Sequence, residues 1–473
     1  MRDRQYIYSM SALILVGIAA YLPAVLLSQN FIADSYCYLT LAEGLRSFSY
    51  SLPEFRHLKY LPFYPALISL LNFPGAGREV YLISAKLISM FSLIGVSLLV
   101  FDFLFGELRS LRLAFLAGLL ALLCPNFILT SGNILSEPLF SLLGFACFFA
   151  LARNRNYLAW ILAGLAALTR WEGLLLVPAL ALREGKTPRR LLKGLLLGVL
   201  IYSPWGWFVL SHRSEFFTYS YPQELMIPSH TGLFFLLDVL LFLSPLLALL
   251  GAAGLGFFPK RLRPGVILYL AAYTGVHIFW HWRAMRFTLP LVPFFISGLF
   301  FLFAGLRKKW EGGKFARERR ASVAALVVTA VSVLGFDVYA YMRLARLPAD
   351  ARIEAAQKLA ASDQAAVVIG DMDPVMARWW GLKRGFSWRE LGTRKPYPWV
   401  AERYLKDGAR YLFWSGSDRF STDLFKEPGQ KGYLSQPVPY EGRNYLLTFY
   451  PMYFLDQGRL IVFNLELRPA EGE

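Results

Sequence analysis

A carboxylate stands directly after the first long apolar run of this sequence, where folding does not require one. The run extends from Tyr6 to Leu27, broken only by Pro23, and leads into ADSYCYLTLAEGL at 33–45, in which Asp34 is the first charge. An ionisable group beside hydrocarbon is costly and is a functional candidate by default. A carboxylate there can act as a general base, and it can also cap the following helix, because Asp is a favoured N-cap residue. We predict that Asp34 carries out proton chemistry, a role compatible with capping.

Further charged side chains recur beside other apolar runs on the same predicted side of the membrane. They are Glu137, Arg170, Glu172, Arg283 and Arg286, together with the short cluster Arg56, His57 and Lys59. With Asp34 they predict a cavity that contains carboxylates and several cations. Guanidinium and ammonium groups hold phosphate by charge-assisted hydrogen bonds. Such a cavity suits an anionic lipid whose phosphate departs while a carboxylate takes a proton from an attacking hydroxyl.

Most of these residues also have a structural interpretation. Arg56 and Lys59 are equally suited to anchoring at lipid headgroups. Glu137 suits the positive end of a helix dipole, and Arg170 and Glu172 can simply pair with each other.

Two histidines raise the question of a metal. His277 and His281 are four residues apart and share a helix face, a spacing that can hold zinc. No third ligand is obvious nearby in the sequence. We therefore predict no metal site and no cofactor, and leave a requirement for a divalent cation open.

The composition places this charge in a membrane protein. The chain has 473 residues, of which 56% are hydrophobic, with a mean hydropathy of +0.44, values that a soluble protein of this length rarely reaches. Lys and Arg (49) outnumber Asp and Glu (32). The basic residues form short clusters between apolar runs, which is typical of membrane loops and not of a nucleic-acid-binding surface.

About eleven apolar runs are candidates for membrane spans. They lie at 6–28, 80–104, 112–130, 134–151, 157–169, 173–183, 192–211, 232–257, 266–281, 287–306 and 321–342. Because Lys and Arg favour the cytoplasm, the basic flanks of 157–183 predict that this segment goes out and returns as two short helices. The same rule predicts a cytoplasmic N-terminus and a periplasmic C-terminal part, in a bacterial inner membrane.

The sequence divides into two predicted domains. Residues 1–342 form a transmembrane domain whose long first outer loop, 29–79, contains two helices lying in the interface. Residues 343–473 change character and predict a small periplasmic α/β domain. Two strand patterns, 445–454 and 460–467, flank the turn signal Asp456–Arg459 and predict a hairpin.

Five segments in order resemble the GT-C glycosyltransferases, and among them the family 39-like branch that includes protein O-mannosyltransferases and aminoarabinose transferases of lipid A. They are ADSYCYLTLAEGL (33–45), YLPFYPALISLL (60–71), NILSEPLF (133–140), LAGLAALTRWEGLLLVPAL (162–180) and RAMRFTLPLVPFF (283–295). The resemblance covers roughly residues 6–306. It implies the GT-C membrane fold and inverting transfer of a sugar from a polyprenyl-phosphate carrier to an acceptor hydroxyl at the periplasmic face.

The resemblance also implies site residues. Asp34 matches the catalytic base, and Glu137 matches a second carboxylate of the cavity, which we assign to catalysis. Arg56, Lys59 and Arg286 match residues that hold the lipid phosphate.

The remaining assignments complete the predicted site and its partners. His57, Arg170, Glu172 and Arg283 are further cavity candidates. The implied partners are the lipid-linked sugar, membrane lipids and an acceptor that is a glycan, a lipid or a protein, with no nucleic acid. Protein mannosyltransferases carry an Asp-Glu pair at the first site, whereas Asp34 is followed by Ser35, so protein mannosylation is not the default.

Two other classes of function remain open from the sequence. A transporter or flippase for the same lipids also has many spans and buried charges, although such proteins often contain paired repeats and none is visible here. A non-catalytic factor in the assembly of envelope glycans is the second alternative, and it would tolerate loss of Asp34.

Overall fold

The computed structural model describes 2–28, 32–52, 57–72, 75, 77–184, 187–214, 235–236, 239–240, 243–279, 284–310, 328–329, 331, 335, 351–363, 365–370, 374–380, 382–387, 396–415, 434–440, 443–455 and 460–469. The described residues are mostly helical. The protein forms two compact units, Met1–Ser28 with Leu41–Leu347 and Gln29–Thr40 with Pro348–Glu473. Residues 29–40 of the first loop thus belong with the C-terminal part of the chain.

Helices make up the described part of the first unit. In chain order they are α1 (Arg2–Leu27), α2 (Ala33–Leu45, whose first half belongs to the second unit), α3 (Phe63–Leu70), α4 (Arg78–Leu108), α5 (Leu111–Leu122), α6 (Pro125–Ser131), α7 (Glu137–Ala152), α8 (Asn156–Ala167), α9 (Leu176–Glu184), α10 (Pro188–Ser211), α11 (Pro245–Gly254), α12 (Arg263–Phe279) and α13 (Val292–Trp310). Short 3-10 turns at Trp171–Leu175, Leu255–Phe257 and Met285–Leu291 lead into or out of these helices.

Several of these helices can cross a membrane. Within the described residues four are long and apolar enough, namely Asp3–Leu27, Arg78–Leu108, Pro188–Ser211 and Met285–Lys308. A fifth span is added if α5 and α6, which are bent by 50° relative to each other, count as one. The predicted number of about eleven is not confirmed, because several apolar helices are shorter than a full span and the predicted run 321–342 falls largely outside the described residues.

Small residues let the helices approach closely. A Cβ at Gly254 in α11 would lie 1.9 Å from the Gly298 carbonyl oxygen in α13, and one at Gly194 in α10 would lie 2.0 Å from Trp160 Nε1 in α8. Close backbone approach through glycine is a common way for membrane helices to gain packing contacts. The contacts of α11 with α13 and of α10 with α8 therefore require glycine at these positions, because any larger residue would collide with the neighbouring helix.

The segment 157–183 consists of two short helices, as the loop charges predicted. Helices α8 and α9 are separated by the 3-10 turn Trp171–Leu175. Gly173 lies against the backbone of α8, where a Cβ would be 2.3 Å from Ala167 N. Only glycine allows the turn to pack this closely on the preceding helix.

The predicted run 112–130 is not one straight helix. It divides into α5 and α6 at Cys124-Pro125. Proline has no backbone N–H and is favoured in the first turn of a new helix, which is the position that Pro125 occupies in α6.

The second unit contains a six-stranded mixed sheet. Its strands are β1 (Val367–Gly370), β2 (Arg384–Ser387), β3 (Tyr411–Ser415), β4 (Leu434–Tyr440), β5 (Arg443–Leu455) and β6 (Leu460–Pro469), in the spatial order β2-β1-β3-β6-β5-β4. The first three are parallel and the last three antiparallel. Three helices accompany the sheet, α14 (Ala351–Ser362), α15 (Pro374–Trp379) and α16 (Pro396–Asp407).

One face of this sheet forms a hydrophobic core with α16. Trp399, Val400 and Ala401 of the helix pack with Ile369 and Leu412 of the central strands. Strands β5 and β6 pair antiparallel from Leu455 and Leu460 onward, as the hairpin prediction required. The turn residues Asp456–Arg459 themselves lie outside the described residues.

Candidate active site

Five ionisable side chains of the first unit meet in its interior. Glu137 is the first residue of α7. Arg170 immediately precedes the 3-10 turn after α8, and Glu172 lies within that turn. His277 is in the last turn of α12, and Arg286 is in the 3-10 turn before α13. We call these five residues the charge cluster. Four of them were predicted from the sequence as site residues, and the structure brings those four together.

Arg170 is the centre of the charge cluster. Its Nη1 lies 3.0 Å from Glu137 Oε1 and its Nη2 lies 2.8 Å from Glu172 Oε1. Nη1 also donates a hydrogen bond of 3.2 Å to Ser136 Oγ. All these groups are buried, so the fork of the guanidinium, which matches carboxylate geometry, joins two carboxylates away from water. The pairing of Arg170 with Glu172 that the sequence left as an alternative is present.

Arg286 is the more exposed cation. Its Nε lies 3.0 Å from Glu137 Oε1, and its side chain is 18% exposed against 2% for Glu137. The guanidinium carbons of Arg286 and Arg170 lie 5.3 and 5.7 Å from the ring centre of Phe287, within the range of cation–π attraction. Glu137 and Phe287 thus fix two guanidinium groups side by side, and Arg286 has the better access to a bound anion.

His277 completes the charge cluster and was not predicted to belong to it. Its Nε2 lies 3.7 Å from Glu172 Oε1, and its Nδ1 is 2.9 Å from the Tyr273 carbonyl oxygen. Since a carbonyl only accepts, Nδ1 carries the hydrogen, and the other ring nitrogen faces the carboxylate. The ring packs among Tyr273, Phe287 and Phe235, at centroid distances of 4.2, 5.1 and 5.1 Å.

Local structure explains why these side chains converge. Glu137 begins α7 beside Pro138 in the first turn, where a carboxylate is favoured by the helix dipole. The turn that holds Arg286 is tied down from two sides, because Tyr273 Oη donates to the Phe287 carbonyl at 2.9 Å and Asn126 Nδ2 donates to the Met285 carbonyl at 3.2 Å. The position of the turn that holds Arg286 therefore rests on side-chain hydrogen bonds from α6 and α12 to its backbone carbonyls.

Asp34 is in the first turn of α2 and is half-buried. The residues around it belong to the second unit. At the start of this helix the backbone N–H of Ile32 donates to Ser35 Oγ at 3.4 Å, so a serine side chain contributes to capping there. The role of Asp34 as a base stays a prediction.

The predicted basic cluster of the first loop is only partly described. His57 is buried, its Nδ1 accepts a hydrogen bond of 3.2 Å from the backbone N–H of Leu52, and its ring lies 5.9 Å from that of Phe208 and 6.3 Å from that of His212. Lys59 is half-buried. Arg56, and likewise Arg283 and His281 of the late outer turn, lie outside the described residues.

An apolar groove of about 730 Å³ runs along α8, α9 and α10. Trp160, Val177, Gly198 and Tyr202 line it, and Leu174 brings it to the turn that contains Glu172. Most of α10 is exposed at the surface of its unit. Its apolar side chains are therefore suited to contact hydrocarbon.

No group of three or more His, Cys, Asp and Glu side chains in the described part of the chain is arranged to hold a metal ion. His277, which the sequence raised as a weak zinc candidate, contacts Glu172 and aromatic rings instead.

The apolar helices and the fold define an integral membrane protein with buried ionisable groups. Two crystal structures of ArnT from Cupriavidus metallidurans share this fold. The one bound to undecaprenyl phosphate has a TM-score of 0.61 and 14% identity, covering 96% of this chain and 97% of that one. The apo structure has a TM-score of 0.58 and 14% identity, covering 97% of each chain. No family model and no curated protein matches the chain. The resemblance to GT-C enzymes of the aminoarabinose transferase type is thus confirmed as a likeness of fold.

Proposed function

We propose that the protein is a glycosyltransferase that moves a sugar from a polyprenyl-phosphate carrier to an acceptor hydroxyl at the periplasmic face of the membrane, for modification of an envelope glycan or lipid. One observation carries the proposal. The chain shares its fold, over 96% of its length, with an ArnT structure that is bound to undecaprenyl phosphate.

In the proposed reaction Asp34 is the general base. Its carboxylate takes the proton of the acceptor hydroxyl, and the hydroxyl oxygen forms a bond to the anomeric carbon of the donor sugar. The bond between that carbon and the phosphate oxygen breaks, and polyprenyl phosphate leaves with the electron pair. The attack comes from the face opposite the phosphate, so the anomeric configuration inverts.

The charge cluster supplies one of the proposed phosphate-binding cations. Arg286 is the partly exposed guanidinium, and Arg56 and Lys59 are assigned to the same phosphate from the sequence resemblance. A fixed cation stabilises the charge that grows on the leaving phosphate without reorganising during the step. Glu137 touches both guanidinium groups in a buried setting. We therefore assign Glu137 to holding Arg170 and Arg286 in place, in preference to a second proton transfer.

The apolar groove supports a lipid-linked donor. Its lining is aliphatic and aromatic, which matches an isoprenoid chain by the hydrophobic effect. It lies beside the turn that carries Glu172. We assign the groove to the chain of the donor lipid.

The test compares Asp34→Asn with the wild-type protein in proteoliposomes. Radiolabelled undecaprenyl-phosphate mannose, glucose and aminoarabinose are supplied one at a time with an envelope extract as acceptor, and release of undecaprenyl phosphate is measured. The amide keeps the shape of the side chain and removes the base. Turnover is expected to fall about 10²-fold or more at equal protein level.

Glu43→Gln is the matched control. Glu43 is an exposed carboxylate on the same helix α2, and its loss is expected to leave turnover unchanged. Full activity in Asp34→Asn would remove the base from the proposal. If the wild-type protein moved the lipid across the bilayer without transferring sugar, the protein would be a flippase and not a glycosyltransferase. If it showed neither sugar transfer nor lipid movement, the result would favour an assembly factor.

A further inference from the structure

The first half of α2, which carries Asp34, groups with the C-terminal part of the chain. Residues 29–40 form one compact unit with residues 348–473, although more than 300 residues separate them in the sequence. An α-helix of three turns is a stiff body. Whatever holds the first half of α2 therefore sets where the carboxylate of Asp34 points.

The first half of α2 is enclosed on all sides. The five consecutive residues that follow Asp34, from Ser35 to Leu39, are all buried. Consecutive residues of a helix are 100° apart, so five of them cover the full circumference. Asp34 itself stays half-buried at the open end of this stretch.

A hydrogen bond connects this helix with the residue that follows α15 in the C-terminal unit. Trp380 Nε1 donates to Tyr36 Oη at 3.3 Å, and both side chains are buried, with 8% and 1% exposure. Tyr36 is two residues after Asp34 in the same helical turn. The bond thus acts directly on the turn that presents the carboxylate.

The donor side of this bond is held rigidly. The backbone N–H of Trp380 continues α15 by donating to the Met376 carbonyl at 3.1 Å. The N–H of Leu382 donates to the Ala377 carbonyl at 3.0 Å, and the N–H of Lys383 donates to the carbonyl of Ala366, the residue before β1, also at 3.0 Å. Trp380 is therefore fixed between a helix and the sheet, and its indole N–H is a fixed point for α2.

We propose that Trp380 and Tyr36 are positioning residues for the reaction, through which the C-terminal unit orients Asp34. The proposal rests on the proposed function, since it assumes that Asp34 is the base. Neither residue touches the reacting atoms. Their loss misplaces a catalytic group, which affects the chemical step more than substrate binding.

Three variants test the proposal in the full-length protein, namely Trp380→Phe, Tyr36→Phe and the double variant. Each keeps an aromatic ring and removes the hydrogen bond. With undecaprenyl-phosphate mannose, glucose or aminoarabinose as the probe, whichever the wild-type protein uses, kcat is expected to fall about tenfold in each single variant while KM for the lipid stays the same. The double variant is expected to be no slower than the single ones, because both remove the same bond.

Trp399→Phe is the matched control. Trp399 is equally buried but lies in the core between α16 and the sheet. This variant is expected to lower the stability of the C-terminal unit and leave kcat of the folded protein unchanged. A purely structural role for the Trp380–Tyr36 bond would make the Trp380 and Tyr36 variants behave like Trp399→Phe, and would overturn the proposal.

The two proposals fail in different ways. If Asp34→Asn is fully active, the proposed base is wrong, and the positioning proposal falls with it. If Asp34→Asn is inactive but Trp380→Phe and Tyr36→Phe turn over at the wild-type rate, the base stands and only the positioning role is refuted. Additive losses in the double variant would also refute it, because the two side chains would then act separately.

Discussion

Replacing Arg170 with methionine is the sharpest test of the charge cluster. Methionine keeps a long apolar stem and removes the guanidinium that bridges Glu137 and Glu172. After the change Glu137 keeps its contact with Arg286 at 3.0 Å. Glu172 keeps only His277, at 3.7 Å, among its described ion-pair partners. The variant therefore leaves the buried carboxylate of Glu172 without a guanidinium partner to offset the cost of its burial.

The magnitude follows from the distance and the burial. Two unit charges 2.8 Å apart attract by about 6 kcal/mol at an effective dielectric constant of about 20. Removing one partner of such a buried pair costs about 3–5 kcal/mol in measured cases. We predict that Arg170→Met lowers the free energy of unfolding by about 4 kcal/mol. The double variant Arg170→Met/Glu172→Gln also removes the stranded charge and is expected to regain about half of the loss.

The measurement is equilibrium unfolding in mixed detergent micelles, followed by fluorescence of the 12 tryptophans. Arg261→Met is the control, since its ion pair with Glu107 is far more exposed, at 36% and 22% of the two side chains. An exposed pair of this kind contributes about 0–1 kcal/mol. If Arg170→Met were no less stable than Arg261→Met, the charge cluster would not hold this part of the fold. If the double variant were as unstable as the single one, Glu172 would not be the stranded charge.

Three further predictions concern packing and the lipid groove. Gly194→Ala is expected to destabilise the contact between α8 and α10 by about 2 kcal/mol, because its Cβ would lie 2.0 Å from Trp160 Nε1. Gly198→Ala is the control and is expected to be neutral in the same unfolding assay, because the atom nearest to its Cβ is 3.7 Å away. Lys86→Met removes the buried ammonium that donates to the Val25 and Ser28 carbonyls at 2.9 and 2.6 Å, and is expected to lower the free energy of unfolding by about 2–3 kcal/mol. Gly198→Phe places a ring in the apolar groove and is expected to raise KM for the lipid donor about tenfold with kcat little changed; an unchanged KM would exclude the groove as the site of the isoprenoid chain.

Much of the helical framework could be predicted from hydropathy. The apolar runs 80–104 and 266–281 correspond to α4 and α12 within a few residues, since a membrane helix must be apolar over most of its length. The number of spans could not be obtained in the same way. Apolar helices such as α7 and α8 are shorter than a full span, and hydropathy does not distinguish a short buried helix from a crossing one.

The members of the charge cluster could be predicted, but their pairing could not. Glu137, Arg170, Glu172 and Arg286 each stood out as an ionisable residue beside an apolar run. Which carboxylate meets which guanidinium depends on how α7, α12 and two 3-10 turns pack, and no spacing in the sequence encodes that. His277 was missed because it was paired with His281 as a metal candidate. The rule that singled out the other four residues also applies to His277, because it is an ionisable residue on the aromatic face of an apolar helix. That signal could have identified it.

The grouping of residues 29–40 with the C-terminal part was also beyond the sequence. The first loop was predicted to belong entirely to the transmembrane domain, and no pattern in ADSYCYLTLAEGL indicates a distant partner. The contact between Tyr36 and Trp380 arises from tertiary structure alone.

That contact has a consequence for biosynthesis. Tyr36 and Trp380 are 344 residues apart, and a ribosome adds about 5–20 residues per second. The helix that bears Asp34 therefore waits at least about 17 seconds for its partner, while the intervening chain is synthesised. Under the positioning proposal, a chain that ends before Trp380 lacks a correctly placed base, so full transfer activity begins only after Trp380 has been synthesised and packed against Tyr36.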